Sequence, residues 1–177
     1  MKPMTDPNCV ERYVQLVNEM LLSKETYERD FDLSWLRHQG WIVVPVKSEY
    51  GHFSPQEIER IVPVLNSAGY TQCVAVATEF LDPLPTCYQL SISQEDFRTF
   101  CQKCALLAYL LMDEDRSWAI SCYGAYKLIA GPQRMVEALL GTVISSARAE
   151  FKGFARMLDA GLTRTPYTIM ASRYAGA

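Results

Sequence analysis

The stretch that most constrains this chain is Ser117 to Gly141, SWAISCYGAYKLIAGPQRMVEALLG, because it dictates a hairpin followed at once by a helix. Trp118, Ile120 and Cys122 alternate with Ala119 and Ser121; beyond Gly124, Tyr126, Leu128 and Ala130 alternate with Lys127 and Ile129. A period of two on both sides of a glycine predicts two half-buried antiparallel strands. A two-residue loop at Tyr123-Gly124 would set Ile120 opposite Lys127. A three-residue loop, Tyr123 to Ala125, sets Trp118, Ile120 and Cys122 opposite Ala130, Leu128 and Tyr126. One face is then wholly apolar, and this second register is the expected one. Gly131 reads as a helix N-cap, Pro132 as the first helical residue and Gly141 as the residue past the end.

The rest of the chain supplies further elements. Asp6 and Pro7 open a helix whose stripe is Val10, Tyr13, Val14, Val17, Met20 and Leu21. Lys24 to Gln39 is polar and reads as a short helix and a loop ending at Gly40. Trp41 to Val46 is apolar on both faces and reads as a strand, with Pro45 placing that end at a sheet edge or strand terminus. Ser54-Pro-Gln-Glu57 is a capping box for a helix that buries Ile58, Ile61, Val62 and Leu65, contains Pro63 and ends at Gly69. Thr71 to Thr78 and Cys87 to Ile92 read as strands joined by a proline-containing connection. Ser93 with Asp96 caps a helix expected to run through Phe97, Phe100, Cys104, Leu107 and Leu111. Asp113 to Arg116 reads as a solvated turn. Val143, Ala147, Phe151, Phe154 and Leu158 form a last helical stripe closed by Gly161. Leu162 to Ala177 shows no period and is expected to be an irregular tail, yet its Tyr167, Ile169, Met170 and Tyr174 suit docking on this molecule or a second copy.

The order from Trp41 to Cys122 is strand, helix, strand, strand, helix, strand. The fold class is therefore α+β: a mainly antiparallel sheet of about five strands on a βαββαβ-like, ferredoxin-like core, with an added hairpin strand and flanking N- and C-terminal helices. At 177 residues the chain suits a single globular domain spanning 1–177. Apolar residues make up 49% and charged ones 21%, which excludes the disordered class. A net charge of −3 and 17 scattered Lys+Arg argue against nucleic acid, since phosphate neutralisation needs a clustered basic face. The βαββαβ order also occurs in RNA-recognition domains, but the strands WIVVPV and CYQLSIS lack the exposed basic-aromatic run that stacks bases. The longest apolar run, Cys104 to Met112, has nine residues and cannot span a bilayer that needs about 20. A cytoplasmic protein with six reduced cysteines and no membrane partner is expected.

Few residues suggest chemistry. Cys101-Gln-Lys-Cys104 has dithiol spacing but sits inside a predicted helix, away from the N-terminal position that lowers a thiol pKa. Cys73 and Cys87 flank a connection. With Glu79 facing Thr86 they fall opposite Ile92 and Thr78, which forbids a bridge. His52 lies in a polar loop before a helix N-terminus, and Glu79 and Asp82 lie beside prolines at a strand end, so His52, Glu79 and Asp82 are the candidate site for a small-molecule-binding or enzymatic function. Asp30, Asp32 and His38 match no metal-ligand pattern and read as a solvated turn. No cofactor-binding or metal motif is present, and no catalytic residue is assigned.

The first functional reading is a non-enzymatic protein-interaction module of the cytoplasm. Bacterial immunity proteins, which neutralise a toxin, share this small, weakly acidic, motif-poor profile. Ten tyrosines, three tryptophans and an apolar run at Cys104 to Met112 suggest surplus apolar surface. Leu106, Tyr109, Leu110, Tyr167 and Tyr174 are the candidate interface, for a protein partner or a second copy of the chain. The second reading is the small-molecule-binding regulatory domain or enzyme.

Overall fold

The computed structural model describes residues 1–22, 30–48, 53–79, 85–104, 107–123, 126–158 and 166–176. In chain order its elements are β1 (Lys2–Pro3), α1 (Pro7–Met20), α2 (Leu33–Gln39), β2 (Ile42–Lys47), α3 (Pro55–Ser67), β3 (Gln72–Ala77), β4 (Cys87–Ser91), α4 (Gln94–Lys103), β5 (Tyr109–Met112), β6 (Ala119–Tyr123), β7 (Tyr126–Gly131), α5 (Gln133–Leu140), α6 (Ile144–Leu158) and α7 (Pro166–Arg173). The strands form one sheet in the order β1-β4-β3-β5-β6-β7-β2, with every neighbouring pair antiparallel. The α+β class holds, with seven strands rather than about five.

Both sheet faces are buried. Ala75, Leu90, Leu111, Ile120 and Ile129 meet α3, α4 and α5 on one side. Val43, Val76, Leu110, Leu128 and Ala130 meet α1, α2, α6 and α7 on the other. This double coverage explains the largest departure from the sequence reading. Tyr109 to Met112 is not the end of a long helix: α4 stops at Lys103, and YLLM is strand β5 between β3 and β6, buried at all four positions. A short continuous apolar run suits a two-sided strand as well as a buried helix, so periodicity alone does not separate them.

Reassigning β5 changes the topology. β4-α4-β5 is a split βαβ unit, two parallel strands with β3 inserted between them. The first half is not one of the same span. β2 and β3 are separated by β5, β6 and β7, so the ferredoxin-like order is replaced by a wider sheet with β2 at its rim. The hairpin register also differs. Tyr123 pairs with Tyr126, Ile120 with Ile129 and Cys122 with Lys127, a two-residue connection that matches neither expected register. The expected one was chosen to gather apolar residues on one face, a criterion that loses force when both faces are covered. Cys73 pairs with Leu90 and Cys87 with Val76, not with Ile92 and Thr78. All six cysteines are unpaired.

Local chemistry fares better. Asp6 caps α1, accepting from the Asn8 amide at 3.0 Å, and Ser93 caps α4, accepting from the Asp96 amide at 3.1 Å. Pro45 lies on β2, an edge strand as expected, where Arg148 donates to the Val43 carbonyl at 3.1 Å. At the hairpin exit the strand keeps Gly131 and Pro132 is the N-cap, one residue later than expected.

Two stretches read as solvated each hold one buried carboxylate, while Glu114, Asp115 and His38 are exposed as expected. Asp113 is buried and accepts from the Ser117 and Trp118 amides at 2.6 and 3.2 Å, tying the turn to the hairpin. Asp30 is buried and paired with Arg173 at 3.3 Å, while Asp32 caps α2; hydrogen bonds from Ser34 and Trp35 hold its carboxyl below the usual value. The C-terminal stretch is not irregular where described, because Pro166–Arg173 is helical and buries Met170 and Tyr174 on the same molecule.

Candidate functional site

On the α3 side of the sheet, the capping box sets where α3 begins. Ser54 Oγ accepts from the Glu57 amide at 3.2 Å, and Glu57 Oε2 accepts from the Ser54 amide at 2.8 Å. That start aims Ile58, Ile61, Val62 and Leu65 at the sheet and leaves Pro63 and Ser67 turned outward, with Val64 partly buried at the margin of the core. Helix α5 packs beside it, burying Val136, Leu139 and Leu140 and turning Arg134 and Ala138 outward, with Met135 partly buried. Between the two helices runs an open groove of about 630 Å³. Pro63, Val64, Tyr70, Met135 and Ala138 supply its apolar lining, and Arg134 its one charged side chain among the described residues. Tyr70 meets Trp118 edge-on, with ring centroids 6.1 Å apart, so the groove wall is continuous with the core.

Glu57 does a second job. The Lys127 ammonium, fully buried on β7, donates to Glu57 at 2.9 Å and to Ser48 Oγ at 3.3 Å, and lies 5.3 Å above the Phe53 ring. The pair ties the N-terminus of α3 to the sheet. Cys122 is the cross-strand neighbour of Lys127. Burial pushes its thiol up to about 12, against the opposing pull of the Lys127 charge, so it stays a neutral thiol near pH 7. Burial also raises Cys101 and Cys104, which sit at the C-terminal end of α4 rather than at a helix N-terminus. The arrangement positions and seals; it does not activate a thiolate.

The sequence candidates scatter. Glu79 accepts from the Ala108 amide at 2.8 Å and so joins the end of β3 to the approach to β5. His52, Asp82 and Leu106 lie outside the described residues. Tyr109 and Leu110 lie buried on the central strand β5 rather than at the surface. Tyr174 is completely buried in the second core, and Tyr167 is half-buried against Tyr126 and Phe154 at 6.1 and 5.7 Å. Sequence reasoning missed the α3–α5 groove and the Lys127–Glu57 pair. Only the pair left a trace: a lone lysine between apolar residues of a buried strand needs a partner. No group of three or more metal-ligating side chains that could hold an ion occurs among the described residues.

No protein-family model, curated protein or solved structure matches the chain.

Proposed function

We propose that this chain is a protein-interaction module whose docking surface is the groove between α3 and α5. The observation that carries the reading is the partly exposed apolar lining at Val64, Met135 and Ala138, on helices whose other faces already serve the core, with Tyr70 beside them in the connection after α3. A helix face that meets only water is normally polar. The groove suits an amphipathic helix of a partner, with apolar anchors three or four residues apart and an acidic residue opposite Arg134. Six unpaired thiols support a reducing compartment for the encounter, and no helix among the described residues is long and apolar enough to cross a membrane. Toxin neutralisation of the immunity-protein kind is the narrower form of this proposal. It adds the demand that the partner be toxic when this chain is absent.

The test is a photo-crosslinking residue at position 135 in the native host, followed by reconstitution with the captured protein. The expected result is a stoichiometric complex through an apolar helix, weakened at least about tenfold by Ala138→Arg. Binding indifferent to Ala138→Arg, capture of only a second copy of this chain, or no capture at all overturns the proposal. A small-molecule or enzymatic role at His52, Glu79 and Asp82 has no comparable support, since Glu79, the described member, is engaged with the backbone.

A further inference from the structure

Helix α6 crosses the rim of the sheet beside β2, sending Ala147 into one core and Phe151 into the other. Where it crosses, β2, β7, α3, α5 and α6 border a cavity of about 230 Å³, separate from the groove and open to solvent at Lys47, Thr142 and Glu150. Its walls are Val46, Ile129, Leu140, Ala147, Phe151 and Phe154, and its polar groups are Lys47, Glu57, Arg60, Thr142 and Glu150. We propose that this cavity is a binding site for a small organic anion, a carboxylate carrying one compact apolar group.

The charge balance supports an anion. Glu57 is already neutralised by Lys127 at 2.9 Å, so it does not repel a second negative group as a free carboxylate would. Lys47 and Arg60 have no ion-pair partner among the described residues, and Glu150 offsets only one of them. Arg60 is held in place, whereas Lys47 is exposed. Arg60 Nε donates to the Leu139 carbonyl at 2.9 Å, and its stem crosses Gly141 so closely that a Cβ there would lie 2.6 Å from Arg60 Cδ. Gly141 also has φ +68°, so the residue that ends α5 leaves the path of this arginine clear. Lys47 Nζ sits 5.5 Å from the Phe154 ring centroid, at the aromatic wall.

Shape and chemistry narrow the ligand. The volume is below the roughly 300–1,000 Å³ of drug-sized sites, which suits one ring or one branched chain. Aromatic and aliphatic walls reward an apolar body, and a guanidinium fixed at its Nε edge can present its remaining N–H groups to a planar carboxylate. Inorganic phosphate would leave the apolar walls unused, and an ammonium ligand would face the positive surplus.

Amide NMR titration with benzoate tests the site, with benzyl alcohol, benzylamine and inorganic phosphate as comparison probes. Benzoate should shift Thr142, Ala147 and Phe154 saturably and bind more tightly than the other three. Arg60→Gln and Lys47→Gln should each weaken it about tenfold without loss of fold, the scale of one charge-assisted contact. Ala147→Phe, which fills the cavity, should abolish it. The proposal is overturned by an absence of saturable shifts with benzoate, by equal or tighter binding of any comparison probe, or by unchanged benzoate affinity in Arg60→Gln. None of these readouts depends on the partner groove.

Discussion

The Lys127 side chain has no exposed surface, whereas Glu57 keeps 18% of its own in water. Their ion pair is therefore lopsided. Removing Glu57 leaves an ammonium in the core with a neutral neighbour, a loss that typically costs about 3–5 kcal/mol. Removing Lys127 leaves a carboxylate that still accepts from the Ser54 amide and still reaches solvent. Glu57→Gln should therefore lower unfolding free energy by about 3–5 kcal/mol, and Lys127→Met by nearer the 1 kcal/mol typical of point substitutions. Urea denaturation of both variants checks this, and the reverse order would contradict the burial asymmetry. The sequence showed that Lys127 needs a partner but not which one, because the two members lie 70 residues apart. The caps at Asp6, Ser54 and Ser93 were legible because each closes within three residues.

Among the elements, β5 is the instructive one. A helix through Leu111 and a strand at 109–112 bury the same residues, so hydropathy cannot choose between them. Hydrogen bonding can. β5 has β3 on one side and β6 on the other, so its backbone groups are satisfied in the middle of the sheet. The amides of Leu110 and Leu111 should then exchange only through global unfolding, with protection equal to the full unfolding free energy. Native-state hydrogen exchange measures this directly; exchange as fast as at the solvent-facing amides of α6 would contradict a central strand. The hairpin carries the same lesson from another side. Trp118 is fully buried, as its place in an alternating pattern implied, yet that burial did not fix the register. With both faces of β6 and β7 covered, a one-residue slip exchanges one apolar environment for another. Edge strand β2 was easier, since Pro45 left only a sheet edge or a strand terminus, and the first is what the sheet order has.

At the scale of the molecule, a sheet wet on neither face needs two full sets of helices, and the second set is completed by α7. Tyr174 is wholly buried and Met170 nearly so, both among residues of α1, α2 and the sheet. Polar ties reinforce the docking. Arg173 pairs with buried Asp30 at 3.3 Å, and Arg148 of α6 donates to the Ala175 carbonyl at 3.2 Å. The sequence showed the apolar residues of this segment but not its helix, because its short pattern, PYTIMASR, carries a weak stripe and begins with a proline that resists continuation of a preceding helix. Burial of Tyr174 also raises its phenol pKa, so the native state should lose stability as pH climbs past the ordinary tyrosine value of about 10, where only the unfolded chain ionises. If α7 closes the second core, Tyr174→Ala should cost about 3–5 kcal/mol, as large aromatic truncations do. Arg173→Gln, which removes one partner of buried Asp30, should cost less than Tyr174→Ala. Deleting residues 166–177 should exceed either one and expose apolar surface to a dye such as ANS. Unfolding curves of the three variants decide the matter: a deletion as stable as the full chain would mean that the helix lies on the core without holding it.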